Sequence, residues 1–119
     1  MNTKITLIVS LYIHPGRESE FEQFETAAAQ IMRRYGGILK RRIAIAHLPD
    51  NSQPHEVHVV TFPDERSFEQ YRSDPDLRAL ADLRARAIRQ TTLWSGVDRR
   101  PFAESNLTQS CGDSGAKET

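Results

Sequence analysis

The order of two hydrophobic periodicities is the feature that most constrains the fold of this chain. In residues 5–13 every second residue is apolar, which predicts a strand with one apolar face. After Pro15-Gly16 the apolar residues recur every three or four positions as far as about Arg34, which predicts an amphipathic helix that Gly36-Gly37 can end. Residues 38–47 and 56–62 then predict a hairpin of two strands.

The second half of the chain predicts one more helical region and one more strand. Asp64 is the expected N-cap, and the helix is interrupted at Ser73-Asp74-Pro75 before it continues to about Gln90. Residues 91–97 predict the last strand. The order βαββαβ indicates an α+β, ferredoxin-like domain, with two helices on one face of a four-stranded antiparallel sheet.

The other face of this sheet is expected to be too apolar to stay in water. It carries Ile8, Tyr12 and either Val59 or Val60. A second copy of the chain, packed sheet against sheet about a twofold axis, would cover it. The sequence therefore predicts a homodimer.

Length and composition restrict the class of protein further. The 119 residues fit one domain, which we place at residues 1–98, followed by a polar tail at 99–119 that is expected to be disordered from about residue 103. Sixteen basic and sixteen acidic residues give no net charge, which disfavours a nucleic-acid partner. No run approaches the roughly 18 apolar residues that cross a bilayer. We expect a cytoplasmic protein with no membrane partner, in which Cys111 of the tail is incidental.

The histidines suggest acid–base chemistry more than metal binding. His55 and His58 are three apart on a predicted strand, so they point to opposite faces. The hairpin could bring His47 towards His58, but two histidines fall short of the ligands that a catalytic zinc needs. We predict neither a metal nor another cofactor. His14 and Tyr12, both expected on the open face, are candidate catalytic residues, with His14 as the base. The alternative is that His14 is a histidine at the rim of the sheet.

Three further residues are candidate ligand-binding groups. Arg84 is placed near the centre of the apolar arc of the second helix, where it would form either an ion pair that fixes the helix or an anion clamp at the mouth of a barrel. Arg42 shares a strand face with Lys40 and either guards a sheet edge or recognises a carboxylate or phosphate. Trp94 either lines a pocket for a flat ligand or belongs to the core.

Several short segments resemble an uncharacterised family. These segments are Tyr35-Gly36-Gly37, Val59-Val60-Thr61-Phe62-Pro63-Asp64, Tyr71-Arg72-Ser73-Asp74-Pro75-Asp76-Leu77 and Leu83-Arg84. Over roughly residues 5–98 the chain resembles the domain-of-unknown-function family 1330. That family belongs to the dimeric α/β-barrel group, together with cofactor-independent antibiotic-biosynthesis monooxygenases and small isomerases. The resemblance implies a homodimeric barrel and no particular reaction.

Three functional classes follow from these observations. The first is a homodimeric barrel that binds a small organic or anionic ligand in a pocket lined by Tyr12, His14, Arg42 and Trp94, either as a binding protein or as a cofactor-independent monooxygenase-like or isomerase-like enzyme. The second is a structural or regulatory dimer whose barrel is filled with side chains. An RNA-binding module is the third, and it is disfavoured because residues 56–62 lack the Gly-aromatic pattern of RNA-recognition strands.

Overall fold

A computed structural model describes residues 4–46 and 52–102 of the chain. The strands form one antiparallel sheet in the order β2-β3-β1-β4, which confirms the predicted α+β, ferredoxin-like arrangement. The elements in chain order are β1 (Ile5–Ile13), α1 (Glu18–Arg33), β2 (Ile38–Ala44), β3 (Glu56–Phe62), α2 (Glu65–Arg72), α3 (Pro75–Arg78), α4 (Ala81–Ala87) and β4 (Ile88–Gly96).

Strand β1 lies at the centre of the sheet and divides its two faces. Leu7 and Leu11 are buried beneath the helices, as the alternation in residues 5–13 predicts. Ile8 lies on the opposite face, opposite Val59 of β3 and Trp94 of β4. We call this second face, which carries Ile8, Tyr12, Val59 and Trp94, the open face. Of the two valines that the sequence left as alternatives, Val59 lies there, whereas Val60 is in the core.

Two glycines let α1 turn sharply into β2. Gly36 has a φ of 76°, a left-handed conformation that side chains with a Cβ disfavour. A Cβ on Gly37 would come within 2.6 Å of the Phe62 ring, so only a glycine lets the chain pass this close to the core. The predicted helix end at Gly36-Gly37 is confirmed within a few residues.

The second helical region is more broken than the sequence predicts. Asp64 and Asp74 are the N-caps of α2 and α3, but the chain breaks again at Leu80 before α4. Strand β4 starts at Ile88, not at residue 91, because Ile88 pairs with Ile13 of β1 and is buried in the core. Pairing with the central strand therefore overrides the helical pattern at residues 88–90.

A β-bulge in β2 changes the faces of its arginines. The pairing with β3 shifts between Leu39 and Arg41, so Lys40 is the extra residue. Arg42 consequently pairs with His58 and lies on the helix side of the sheet together with Leu39. Strict alternation had placed Arg42 on the same strand face as Lys40, and this prediction is wrong because alternation does not hold across a bulge.

Some predictions concern residues outside the described ranges. His47, Cys111 and residues 103–119 are among them, so the expected disorder of the tail and the expected role of Cys111 stay predictions. Residues 99–102 are described and form no helix or strand. Within the described residues, every helix is too short or too polar to cross a bilayer.

Candidate functional site

A cavity of about 530 Å³ lies between the helices and the sheet. The core around it consists of two clusters of buried side chains, one around Leu11 and Phe24 and the other around Val60 and Phe62. Both clusters contribute to its walls. A mostly apolar cavity of this size with a few polar side chains is typical of a small-molecule site.

The sequence of α1 explains why the core is incomplete here. Phe21 and Phe24 fill the space near the start of the helix, and Met32 fills it near the end. Between them Ala28 and Ala29, which have the shortest side chains of this helix face, line the cavity. The alternation of large and small side chains along one helix face thus leaves a gap in its middle.

Two ionisable side chains enter the cavity where an apolar residue would be expected. Glu25 of α1 follows Phe21 by four positions and precedes Ala28 by three, so it lies on the apolar face of the helix. His58 of β3 is 3% exposed and lies on the same face of its strand as Val60 and Phe62. Its Nδ1 is 3.8 Å from Oε1 of Glu25. Sequence reasoning did not single out this pair.

A network of charged side chains holds the His58 ring at Nε2, the nitrogen that points away from Glu25. Oε1 of Glu56 is 2.8 Å from Nε2 of His58. Arg42 donates hydrogen bonds to Glu56 and, across the edge of the sheet, to Glu22 of α1. Burial acts to raise the pKa of Glu56, but the hydrogen bonds from Arg42 and His58 outweigh it and lower this pKa below its ordinary value. Glu56 is therefore an ionised acceptor for His58.

The net shift in the pKa of Glu25 is in the opposite direction. Its removal from solvent raises the pKa of Glu25 above the ordinary carboxyl value, and the nearby charge of Glu56 adds to the increase. His58, Arg84 and Arg42 act against the increase without cancelling it. Glu25 can thus exchange a proton closer to neutral pH than a surface glutamate can.

Arg84 and Tyr71 provide hydrogen-bond donors to the cavity. Arg84 of α4 is exposed, not buried as its place in the apolar arc had suggested, because only Ala87 of this short helix is buried. Its Nη2 donates to the Thr91 hydroxyl of β4 over 2.8 Å. Burial, with a smaller effect of the charge on Glu25, raises the pKa of Tyr71 to about 12, so the phenol stays protonated at neutral pH.

The cavity has a mouth as well as a buried end. Among its lining residues Arg72, Arg84 and Leu93 are exposed, so solvent reaches it between α2, α4 and β4. Buried apolar side chains such as Leu7 and Phe62 form its inner wall. A ligand would meet cationic groups at the mouth and an apolar surface inside.

The structure divides the predicted pocket residues between the two faces of the sheet. Tyr12 and Trp94 lie on the open face, where the Arg89 guanidinium stacks on the Tyr12 ring and Trp94 is 60% exposed. His14 follows β1, with its backbone N–H bonded to the carbonyl of Ala87. Arg42 is engaged by two carboxylates. Of the predicted site residues, Arg84 alone lines the cavity.

The remaining histidine, His55, supports the sheet. Its Nδ1 accepts a hydrogen bond from the Ile13 N–H, which joins the ends of β3 and β1. Across residues 4–46 and 52–102, no three histidine, cysteine or acidic side chains come close enough to hold a metal ion. On the open face, β3 presents Val57, Val59 and Thr61 and thus no aromatic ring for stacking RNA bases.

Comparison with known proteins finds similarity of fold. A protein of unknown function from Rhodopseudomonas palustris matches with a TM-score of 0.71 and 14% identity, over 85% of this chain and 86% of its own. The cofactor-independent oxygenase SnoaB from Streptomyces nogalater matches with a TM-score of 0.64 and 17% identity, over 84% and 97%. A DABB-family protein with a ferredoxin-like fold from Mesorhizobium loti matches with a TM-score of 0.59 and 18% identity, over 82% of this chain and 98% of its own.

These similarities establish the fold and leave the function open. No family model matches the sequence, and no curated protein does. Membership of family 1330 therefore stays a prediction, while the ferredoxin-like fold shared with the oxygenase and the DABB-family protein is a finding. The same fold carries many unrelated activities, so a function has to be argued from the cavity itself.

Proposed function

We propose that the cavity binds a small, mostly apolar organic molecule that carries one anionic oxygen group, a carboxylate or a phenolate. Arg84 is the anchor of that group. The observation that carries the proposal is the environment of Arg84, which lines the cavity, bonds to the neutral Thr91 hydroxyl and forms no salt bridge within the described residues. A guanidinium with unused donors beside an apolar cavity is suited to such an anion.

The size of the cavity supports ligand binding over a purely structural dimer. A structural protein gains stability from a filled core, whereas a gap of about 530 Å³ gives up packing contacts. The gap lies beside polar groups, Glu25, His58 and Tyr71, that could orient a ligand. These features favour a site over a packing defect.

Calorimetry with two matched probes tests the proposal. Naphthalene-2-carboxylate should bind about 10–100 times more tightly than the neutral naphthalene-2-carboxamide at low salt, because a hydrogen bond to a charged group contributes roughly 1.5–3 kcal/mol. Ala28→Leu, which fills the middle of the cavity, should weaken both probes alike. Equal affinity for the two probes would contradict the role of Arg84, and no binding of either would overturn the proposal.

We also propose that a second copy of the chain covers the open face. Ile38, Ile43 and Trp94 lie on this face, and Trp94 and Ile38 are among the most exposed large apolar residues of the described chain. The resemblance to family 1330 supports the same arrangement, since it implies a dimeric barrel. Self-association would involve one face of the sheet, and ligand binding the other.

Sedimentation equilibrium tests the dimer. The wild-type protein should have about twice the chain mass of 13.6 kDa at micromolar concentration. Trp94→Glu should weaken the dimer by at least about 100-fold, because it would bury two unpaired carboxylates at the interface. Arg86→Glu on the exposed side of α4 is the control and should keep the wild-type mass. A wild-type mass of 13.6 kDa would contradict the dimer.

A further inference from the structure

We propose that Glu25 transfers protons in the cavity, that His58 positions it, and that the reaction is the enolisation of a small, mostly apolar carbonyl compound. The inference deepens the proposed function and rests on it, because the substrate would occupy the same cavity and the anionic oxygen that Arg84 binds would be that of the enolate formed there. It assigns the chemistry to a pair that lines the cavity, in place of Tyr12 on the open face and His14 after β1.

A hydrogen bond to Glu56 orients the His58 ring. Glu56 is an ionised carboxylate and can only accept, so Nε2 of His58 must carry the proton and donate it over 2.8 Å. Nδ1 of the same ring lies 3.8 Å from Oε1 of Glu25. This separation is longer than a hydrogen bond, which leaves the oxygens of Glu25 available to a substrate. Arg42 keeps Glu56 in place and thereby fixes the ring.

The groups that face Glu25 come from four other elements and have opposing effects. His58 and Glu56 face it from β3, Arg42 from β2, Arg84 from α4 and Tyr71 from α2. On α1 itself, the neighbouring Glu22 is engaged by Arg42. Burial and the charge of Glu56 raise the pKa of Glu25, and the three basic residues lower it, with a net increase. A carboxylate of raised pKa is a stronger base than one at the surface.

The step is balanced without an oxidant or a metal. The Glu25 carboxylate takes a proton from the carbon next to the substrate carbonyl and becomes a carboxylic acid. The electrons of the broken C–H bond form the carbon–carbon double bond of an enolate, and the carbonyl π electrons move to oxygen. The Arg84 guanidinium at the mouth is the donor that stabilises this oxyanion. Return of the proton from Glu25 to the same carbon regenerates the substrate, and its return to a conjugated carbon gives an isomer.

Hydrogen–deuterium exchange of 2-tetralone in D2O, followed by NMR, tests the reaction. The wild-type protein should exchange the acidic methylene protons at least about 100 times faster than buffer with an equal concentration of acetate and imidazole. Glu25→Gln should reduce the catalysed rate by about 10²–10⁴-fold, and Glu25→Asp should keep part of it. Glu20→Gln is the control, because Glu20 lies on the same helix outside the cavity and pairs with Arg17 at the surface.

The pH profile distinguishes positioning from a structural role. The catalysed rate should rise as Glu25 ionises, with a midpoint above the ordinary carboxyl value of 4.5. Glu56→Gln removes a negative charge that raises the pKa of Glu25, so the midpoint should move to lower pH. His58→Gln removes a group that lowers this pKa, so the midpoint should move to higher pH. Unchanged midpoints in both variants would refute the role of His58.

The two proposals fail in different ways. Wild-type exchange no faster than buffer, or full activity in Glu25→Gln, would refute enolisation while binding of naphthalene-2-carboxylate still supported the ligand site. Loss of binding as well as exchange in the wild-type protein would refute both.

Discussion

Replacement of Phe62 with alanine should lower the free energy of unfolding by about 3–5 kcal/mol, the usual cost of removing a buried aromatic ring. Phe62 is 1% exposed and contacts the rings of Phe68 and Tyr71, with centroid distances of 5.3 and 5.5 Å. The backbone at Gly37 passes directly over it. The loss should be at the upper end of this range, because α2 and the connection into β2 both pack on this ring.

Urea denaturation followed by circular dichroism measures this loss. The midpoint should fall while the slope stays unchanged, as expected when the native fold is kept. Phe102→Ala is the matched control: Phe102 is 86% exposed, so its removal should change stability by less than about 0.5 kcal/mol. A loss below about 1 kcal/mol for Phe62→Ala would mean that the second core cluster is not packed as described.

Arg84→Gln should reduce the affinity for naphthalene-2-carboxylate by about 10–100-fold and leave the affinity for the carboxamide nearly unchanged. The glutamine keeps a donor for Thr91 but loses the charge that attracts the carboxylate. Arg84→Lys should retain part of the affinity, since it keeps the charge without the planar fork of donors. Calorimetry at low and moderate salt measures these changes, and the advantage of the carboxylate should shrink as salt rises.

Stability measurements complete the test of Arg84. Because the residue is exposed and its one described hydrogen bond is to a neutral hydroxyl, Arg84→Gln should change the free energy of unfolding by less than about 0.5 kcal/mol. Arg78→Gln, on the exposed surface of α3, is the control for the removal of one positive charge. A large loss of stability with unchanged binding would show instead that Arg84 fixes its helix.

The topology could be predicted from the sequence because local periodicity determines it. The alternation in β1, the apolar stripe of α1 and the turn at Gly36-Gly37 each depend on neighbours along the chain, and all three occur as expected. The start of β4 could not be predicted in the same way. Ile88 fits a helical pattern, and only its pairing with Ile13 across the sheet makes it a strand residue.

The site could be predicted only in part, for a related reason. Arg84 stood out because a charge interrupted an apolar arc. The same signal exists at Glu25, four positions after Phe21, and at His58, which alternates with Val60 and Phe62, so both could have been found. That they lie 3.8 Å apart depends on how α1 sits over β3, and the placement of Arg42 depends on a bulge. Neither is visible in local periodicity.

The alternation of β1 has a consequence for protein engineering. Val9 belongs to the cavity wall and its neighbour Ile8 to the opposite surface, so successive residues of this strand face the two sites that we propose. On these proposals, substitutions at odd positions between 7 and 11 would change ligand preference, and those at even positions would change self-association. A library restricted to the odd positions, or to the even ones, could therefore vary ligand preference or self-association separately.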